Sequence, residues 1–113
     1  MKEPFWKYLD SLIQSAELVI DRPKDSPHPR YPLMVHPVNY GYLKGTLSGD
    51  GHELDVWRGS LTEEMLDAVV CTVDLLKKDV EVKLLLGCTD DEKVILCDFL
   101  GGSEFRAAVL LRR

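Results

Sequence analysis

The sequence feature that most restricts the fold is the dipeptide Asp50-Gly51, which lies between two segments of alternating apolar and polar residues. Both residue types tolerate the positive φ angles of tight turns, so the pair predicts a turn between two antiparallel strands. Alternation along the second strand places Glu53, Asp55 and Trp57 on one face and Leu54 and Val56 on the other. The sequence therefore predicts a hairpin with one core face and one acidic face.

Length and charge narrow the class of protein. A chain of 113 residues suits a single domain, which we assign to residues 1–113. The content of 45% hydrophobic and 29% charged residues is that of an ordinary globular protein. A net charge of -5 and a pI near 5.1 argue against binding to a nucleic-acid backbone and suit a soluble protein or a cation site.

The cysteines and the N-terminal segment bear on location. Cys71, Cys88 and Cys97 show no Cys-x-x-Cys spacing and lie in apolar runs, which predicts buried free thiols in a reducing compartment. Acidic residues interrupt the first 20 positions, unlike a signal peptide, and no apolar run reaches membrane-spanning length. We expect a cytoplasmic protein without a membrane partner.

The first 32 residues predict a helix, a short strand and a loop. Pro4 can open a helix, and apolar residues recur at helical spacing from Phe5 to Ala16. Leu18 to Ile20 predict a strand, and residues 22–32 contain four prolines, which predicts an extended loop. This loop carries four basic or titratable side chains, at Arg22, Lys24, His28 and Arg30. They form a solvated surface or meet an anionic substrate, and charge alone favours the surface.

A second hairpin is predicted in the middle of the chain. Apolar, β-branched runs at residues 68–76 and 80–86 flank a short polar connection. On the later strand Asp79, Glu81 and Lys83 share one face, which gives a second carboxylate row beside a lysine. The alternative is an edge strand on which charges prevent aggregation.

The last third predicts one helix and one strand. Thr89 and Glu92 have the spacing of a capping box, and Gly101-Gly102 ends the apolar run that follows. Phe105 to Leu111 predict a final strand. The fold class is thus mainly β (α+β), with a helix near each end.

Carboxylates collected from several strands, with Lys, Arg and Tyr nearby, are suited to a divalent cation and a polyanionic ligand. Mg²⁺ prefers such oxygen ligands, and metal ions can bridge phosphate oxygens and lower the pKa of bound water. On composition alone this prediction is weak, because most carboxylates of an acidic protein bind nothing specific.

The central segment resembles soluble family I inorganic pyrophosphatase. The resemblance rests on residues 37–42, 45–48, 50–51 and 54–56 and extends over about residues 18–86. It implies a small, distorted five-stranded barrel of the OB type and Mg²⁺-dependent hydrolysis of diphosphate to two phosphates. It also suggests a homo-oligomer, since members of the family assemble.

The resemblance implies a set of metal ligands. Asp50 and Asp55 match the outer positions of the family's Asp-x-Asp-x-x-Asp signature, and Asp79 and Glu81 match two acids on the second hairpin. His52 replaces the middle aspartate, the residue that the family uses to activate the attacking water. We therefore predict Mg²⁺ at these four acids, with His52, Asp55 and Tyr40 as candidate catalytic residues.

The resemblance also implies phosphate-binding residues. Tyr40 falls at the family's phosphate-contacting tyrosine, while Arg30 and Lys83 fall at basic positions. Asp21 falls at an upstream acid that supports the site. The expected ligand is a small phosphate compound, diphosphate above all. The alternative function is a non-catalytic module that binds a metal, a phosphate compound or a protein partner.

Overall fold

The fold is one six-stranded sheet with a helix against each face, in a computed structural model that describes residues 3–113. Two helices and six strands follow one another along the chain: α1 (Glu3–Ser15), β1 (Leu18–Arg22), β2 (Asn39–Leu43), β3 (Leu54–Arg58), β4 (Leu66–Asp74), β5 (Asp79–Leu86), α2 (Asp90–Gly101) and β6 (Arg106–Arg112). Neither helix is long and apolar enough to cross a membrane, within the described residues.

The sheet has the strand order β1-β2-β3-β5-β4-β6. Every neighbouring pair is antiparallel except β3 and β5, which are parallel, with Val56 opposite Leu84 and Trp57 opposite Leu85. This parallel pair is the seam between the β1–β3 and β4–β6 halves of the sheet. It aligns the acidic strand β3 with the charged strand β5.

Alternation along the central strands produces two hydrophobic cores. Val56 and Leu84 pack beneath α1, together with Trp6 from that helix. Trp57 and Leu85, one residue further along, belong to the opposite cluster, which contains Leu96 and Leu100 of α2. The sheet centre is therefore covered on both faces.

The predicted class, mainly β with a helix near each end, is confirmed. So are the N-terminal helix, the β4–β5 hairpin, the final strand and the capping box, in which Thr89 and Glu92 bond each other's backbone amides. The architecture differs in detail from the expected small, distorted five-stranded OB-like barrel. The sheet has six strands, because β6 adds to the edge of β4, and within residues 3–113 no pairing joins β1 to β6.

The turn at Asp50-Gly51 lies inside a longer connection than a two-residue hairpin would have. Pairing of β2 with β3 ends at Leu43 and Leu54, and residues 44–53 join the strands. Gly51 has a φ of 85°, as its turn position requires, and its amide donates to the Ser48 carbonyl at 3.0 Å. The dipeptide thus forms a turn at the tip of a loop.

The proline-rich segment folds back on itself without forming a helix. The Asp25 amide donates to the His36 carbonyl, and the His28 amide donates to the Met34 carbonyl, each at 2.8 Å. An isolated antiparallel bridge joins Pro27 to Val35. The segment between β1 and β2 is therefore an ordered arm with several backbone hydrogen bonds.

We predict that Gly41→Ala destabilises the protein far more than Gly49→Ala. A Cβ at Gly41 would lie well inside van der Waals contact of the Val19 carbonyl oxygen, so β1 would have to move away from β2. We expect a loss of about 1–3 kcal/mol in the free energy of unfolding, measured by chemical denaturation. At Gly49 nothing lies within 4 Å, and the expected change is less than about 0.5 kcal/mol. Equal losses would contradict the close β1–β2 contact.

Candidate functional site

Four of the predicted site residues form one hydrogen-bonded network. The Tyr40 hydroxyl donates to Asp55 Oδ1 at 2.8 Å, and Lys83 Nζ donates to Asp55 Oδ2 at 2.6 Å. Lys83 Nζ also donates to Glu81 Oε2 at 2.5 Å. Each oxygen of Asp55 thus has its own donor, and Lys83 bridges two carboxylates.

The sheet register brings these side chains together. Asp55 precedes Val56 and Lys83 precedes Leu84, so the parallel β3–β5 pairing sets them side by side. Tyr40 pairs with Trp57 on the neighbouring strand, which leaves its side chain near the same face as Asp55. The network therefore depends on three strands that are distant in sequence.

Burial and neighbouring charges determine the protonation states of Lys83 and Tyr40, the two hydrogen-bond donors of the network. Burial opposes the charged form of Lys83, but attraction and hydrogen bonds from Asp55 and then Glu81 outweigh it and raise the pKa of the ammonium. Burial and, next, the negative charge of Asp55 raise the pKa of Tyr40. Lys83 is therefore a cation and Tyr40 a neutral donor at physiological pH.

The remaining residues of the central segment lie at the rim of this network. Asp50 is exposed, and its pKa is lowered, first by the hydrogen bond from the His52 amide and next by contact with the Glu81 side chain. His52 and Asp21 line a shallow depression beside Tyr40 and Asp55. Predicted catalytic and metal-binding residues thus share one surface.

Asp21 owes its position to a β-bulge. Ile20 pairs with Gly41 and Arg22 pairs with Tyr40, which leaves Asp21 as the extra residue of the strand. Its carboxylate lies 3.9 Å from the Arg22 guanidinium, and both side chains line the depression. The bulge therefore directs the upstream acid and its neighbouring arginine to the site.

Asp79 lies at the start of β5, where it pairs with Asp74. It shares a face with Glu81, about 7 Å further along the strand, but it is about 13 Å from the position of Lys83 and takes no part in the hydrogen-bonded network of the described residues. Within residues 3–113 no group of three or more His, Cys, Asp or Glu side chains is arranged to hold a metal ion. Asp55 and Glu81 instead flank the Lys83 ammonium, so the donor set as it stands does not fit Mg²⁺.

A larger cleft opens next to the network, on the α2 side of the sheet. Its volume is about 550 Å³, and its lining includes five cationic side chains against one carboxylate, that of Asp74. The cations are Arg22, Arg30, Lys77, Lys83 and Arg106. Asp74 Oδ1 already accepts the backbone amides of Leu76 and Lys77. The cleft therefore has a strong excess of positive charge.

Few of these cations are neutralised. Lys83 is paired with Asp55 and Glu81, and Arg22 is 3.9 Å from Asp21. Arg30, Lys77 and Arg106 form no ion pair with any described residue. Burial lowers the pKa of His28 most, Arg22 is the next cause, and Lys77 and Arg106 make smaller contributions.

The cleft was only partly predictable from sequence. Arg30 and Lys83 were predicted as phosphate-binding residues, and both line the cleft together with Arg22, at the end of β1, and His28 of the arm. Arg30 is exposed, so both interpretations of the cationic loop, a solvated surface or a contact with an anionic ligand, stay predictions. Lys77 comes from the β4–β5 turn and Arg106 from the start of β6, and neither was predicted. Only the pairing of β6 with β4 brings Arg106 opposite Asp74, and no local sequence signal indicates that pairing.

Comparison with known proteins does not identify a relative. No protein-family model, no curated protein and no solved structure matches the chain. The similarity to inorganic pyrophosphatase therefore depends on the motif within residues 37–56, and stays a prediction.

We predict that Lys83→Met destabilises the protein in a pH-dependent way. The substitution leaves the carboxylates of Asp55 and Glu81 side by side without a counter-charge. We expect a loss of about 3 kcal/mol in the free energy of unfolding at pH 7. The loss should shrink as the pH falls towards about 4, where carboxyls protonate and the repulsion disappears.

The control is Lys44→Met, at an exposed lysine outside the network. It should leave stability nearly unchanged at every pH. In the wild type, the raised pKa of Lys83 means that its contribution is present below pH 10.5 and is lost as the pH rises through the higher folded-state value. A Lys83→Met loss that does not depend on pH would indicate packing, not charge.

Proposed function

We propose that the protein binds a small phosphate compound in the cationic cleft, with diphosphate as the simplest candidate. The observation that carries this proposal is the group Arg22, Arg30, Lys77 and Arg106, which surrounds one cleft while the chain as a whole is acidic. A surface with no ligand would gain nothing from like charges held together, since they repel one another. An anion offsets that repulsion.

The types of cation favour phosphate over a monovalent anion. Three of the four are arginines, whose planar forks donate two parallel hydrogen bonds to phosphate oxygens. They come from the end of β1, the arm and the start of β6, so they approach a ligand from different directions. Such an arrangement suits a compound with several charged oxygens.

The same arrangement predicts binding without Mg²⁺. The cleft supplies its own positive charge, and Lys83 occupies the position between Asp55 and Glu81 that a cation would take. Diphosphate should therefore bind in the presence of a chelator. This distinguishes the binding proposal from a hydrolase that needs a metal ion.

A second candidate function is Mg²⁺-dependent hydrolysis of diphosphate. It is favoured by the Tyr40–Asp55 hydrogen bond beside exposed Asp50 and His52, the arrangement that the pyrophosphatase resemblance implies. Here Tyr40 would donate to a phosphate oxygen, but the carboxylates of the described residues are not arranged to hold a metal ion, so a site for Mg²⁺ would require a rearrangement. This candidate requires Asp55 to be available, although Lys83 holds it in the present arrangement.

Two further elements belong to the proposal. Cys71, Cys88 and Cys97 are free, and free thiols suit a reducing compartment such as the cytoplasm. Burial raises the pKa of the Cys88 thiol to about 12. Assembly into a homo-oligomer stays a prediction from the resemblance.

We predict that Arg106→Gln weakens diphosphate binding about tenfold or more, measured by isothermal titration calorimetry in EDTA. The variant removes one charge-assisted contact, which contributes about 1.5–3 kcal/mol. Arg22→Gln should act similarly, while Lys44→Gln, an exposed lysine outside the cleft lining, should bind as the wild type does. Absence of heat from wild-type protein, in EDTA and with Mg²⁺ alike, would overturn the binding proposal.

The hydrolysis candidate is tested by phosphate release from diphosphate with Mg²⁺. If it holds, wild-type protein releases phosphate and Asp55→Asn abolishes the release, whereas Asp91→Asn, at an exposed acid of α2, leaves it unchanged. Release that persists in Asp55→Asn would indicate contamination. A large gain in His52→Asp would show that the wild type lacks the base that the resemblance places at this position.

A further inference from the structure

The lining of the cleft contains more aromatic surface than a bare diphosphate can use. Five aromatic side chains contribute to it: Tyr31, Tyr40, Trp57, Phe99 and Phe105. Diphosphate is fully polar and gains nothing from apolar walls. At about 550 Å³, the cleft lies in the range typical of sites for larger organic ligands.

The floor of the cleft is a continuous layer of rings. The rings of Tyr40 and Trp57 are 4.8 Å apart, and Phe99 meets Trp57 edge to face at 5.8 Å. The His36 ring stacks on the rings of His28 and Tyr40, with distances of 6.0 and 6.1 Å between the ring centroids. These ring contacts form a connected aromatic layer within the cleft lining.

The mouth of the cleft keeps two aromatic side chains exposed. Tyr31, on the arm, is 53% exposed, and Phe105, just before β6, is 45% exposed. The Arg30 guanidinium lies over the Tyr31 ring, 5.8 Å from its centroid, and Arg106, which follows Phe105 in the sequence, also lines the cleft. Ring and cation together match a ligand that joins a flat aromatic group to phosphate.

One buried polar atom of the floor lacks a partner. Trp57 is 3% exposed and lines the cleft, and its indole Nε1 is buried without a hydrogen-bond acceptor in the described part of the chain. Indole N–H groups usually find an acceptor when they are buried. Because this atom has almost no accessible surface, an acceptor on a ligand would reach it only if the neighbouring side chains moved.

We infer that the cleft takes a nucleoside phosphate, such as a nucleoside diphosphate, with its base against the aromatic side chains and its phosphates on the arginines. The inference deepens the proposed function and rests on it, since it names the class of phosphate compound. Base stacking on exposed rings tolerates any base, because every base presents a flat π-face. The cleft therefore selects the nucleotide class and not one base.

The test compares ADP, diphosphate and adenosine by isothermal titration calorimetry in EDTA. We expect ADP to bind at least about tenfold more tightly than diphosphate, and adenosine to bind weakly, because stacking adds to the phosphate contacts. Phe105→Ala should reduce ADP affinity severalfold and leave diphosphate affinity unchanged. Tyr31→Ala should reduce ADP affinity more than diphosphate affinity, since the Tyr31 ring also contacts the Arg30 guanidinium. Both side chains are exposed, so these variants should fold. Tyr8→Ala, at a 73% exposed tyrosine outside the cleft lining, is the control.

The outcomes separate the two proposals. If diphosphate binds and ADP binds no more tightly, the nucleotide inference is overturned and the proposed function stands. If ADP binds more tightly but Tyr31→Ala and Phe105→Ala bind it as the wild type does, the assigned base position is wrong and the inference fails. If neither compound binds, both proposals fail.

Discussion

The structure depends on the contact of Lys83 with Asp55 and Glu81 at the parallel junction of β3 and β5. Lys83 and Asp55 come from the two halves of the sheet, and their side chains are largely withdrawn from water. Removing such groups from water is costly unless each is paired, so the contact restricts the register of the two strands. The same contact positions Tyr40 at the edge of the cleft, and thereby ties the sheet register to the geometry of the site.

The distribution of charge follows from this arrangement. The chain has 19 acidic and 14 basic residues, yet the cleft lining is cationic. Asp55 and Glu81 form ion pairs with Lys83. One carboxylate oxygen of Asp74 accepts hydrogen bonds from the backbone amides of Leu76 and Lys77 in the β4–β5 turn. These acids are therefore engaged by the protein itself, while Arg30, Lys77 and Arg106 form no ion pair among the described residues.

Local signals explain what the sequence could predict. The helix of residues 3–15, the β4–β5 hairpin and the capping box of α2 each arise from contacts within a few residues, and each was predicted. The parallel β3–β5 pairing and the addition of β6 to β4 join distant segments and left no local pattern. The site residues show the same contrast between predicted and unpredicted features. Four predicted residues, Tyr40, Asp55, Glu81 and Lys83, do form a network. Arg106 was not predicted, because it lies in the cleft only through the β4–β6 pairing, which periodicity could not indicate. The OB-type barrel of the resemblance likewise did not anticipate a sixth strand.

The parallel pair also sets an order of events during folding. Hairpin β4–β5 closes through a short turn, whereas β3 and β5 must meet across the whole of β4, and non-local pairing is slower because chain entropy is lost before contacts form. Arg106 belongs to β6, which follows β5 and α2 in the chain and pairs with β4. The cleft lining is therefore incomplete until β6, which carries Arg106, has paired with β4, so we expect ligand binding to require the complete sheet.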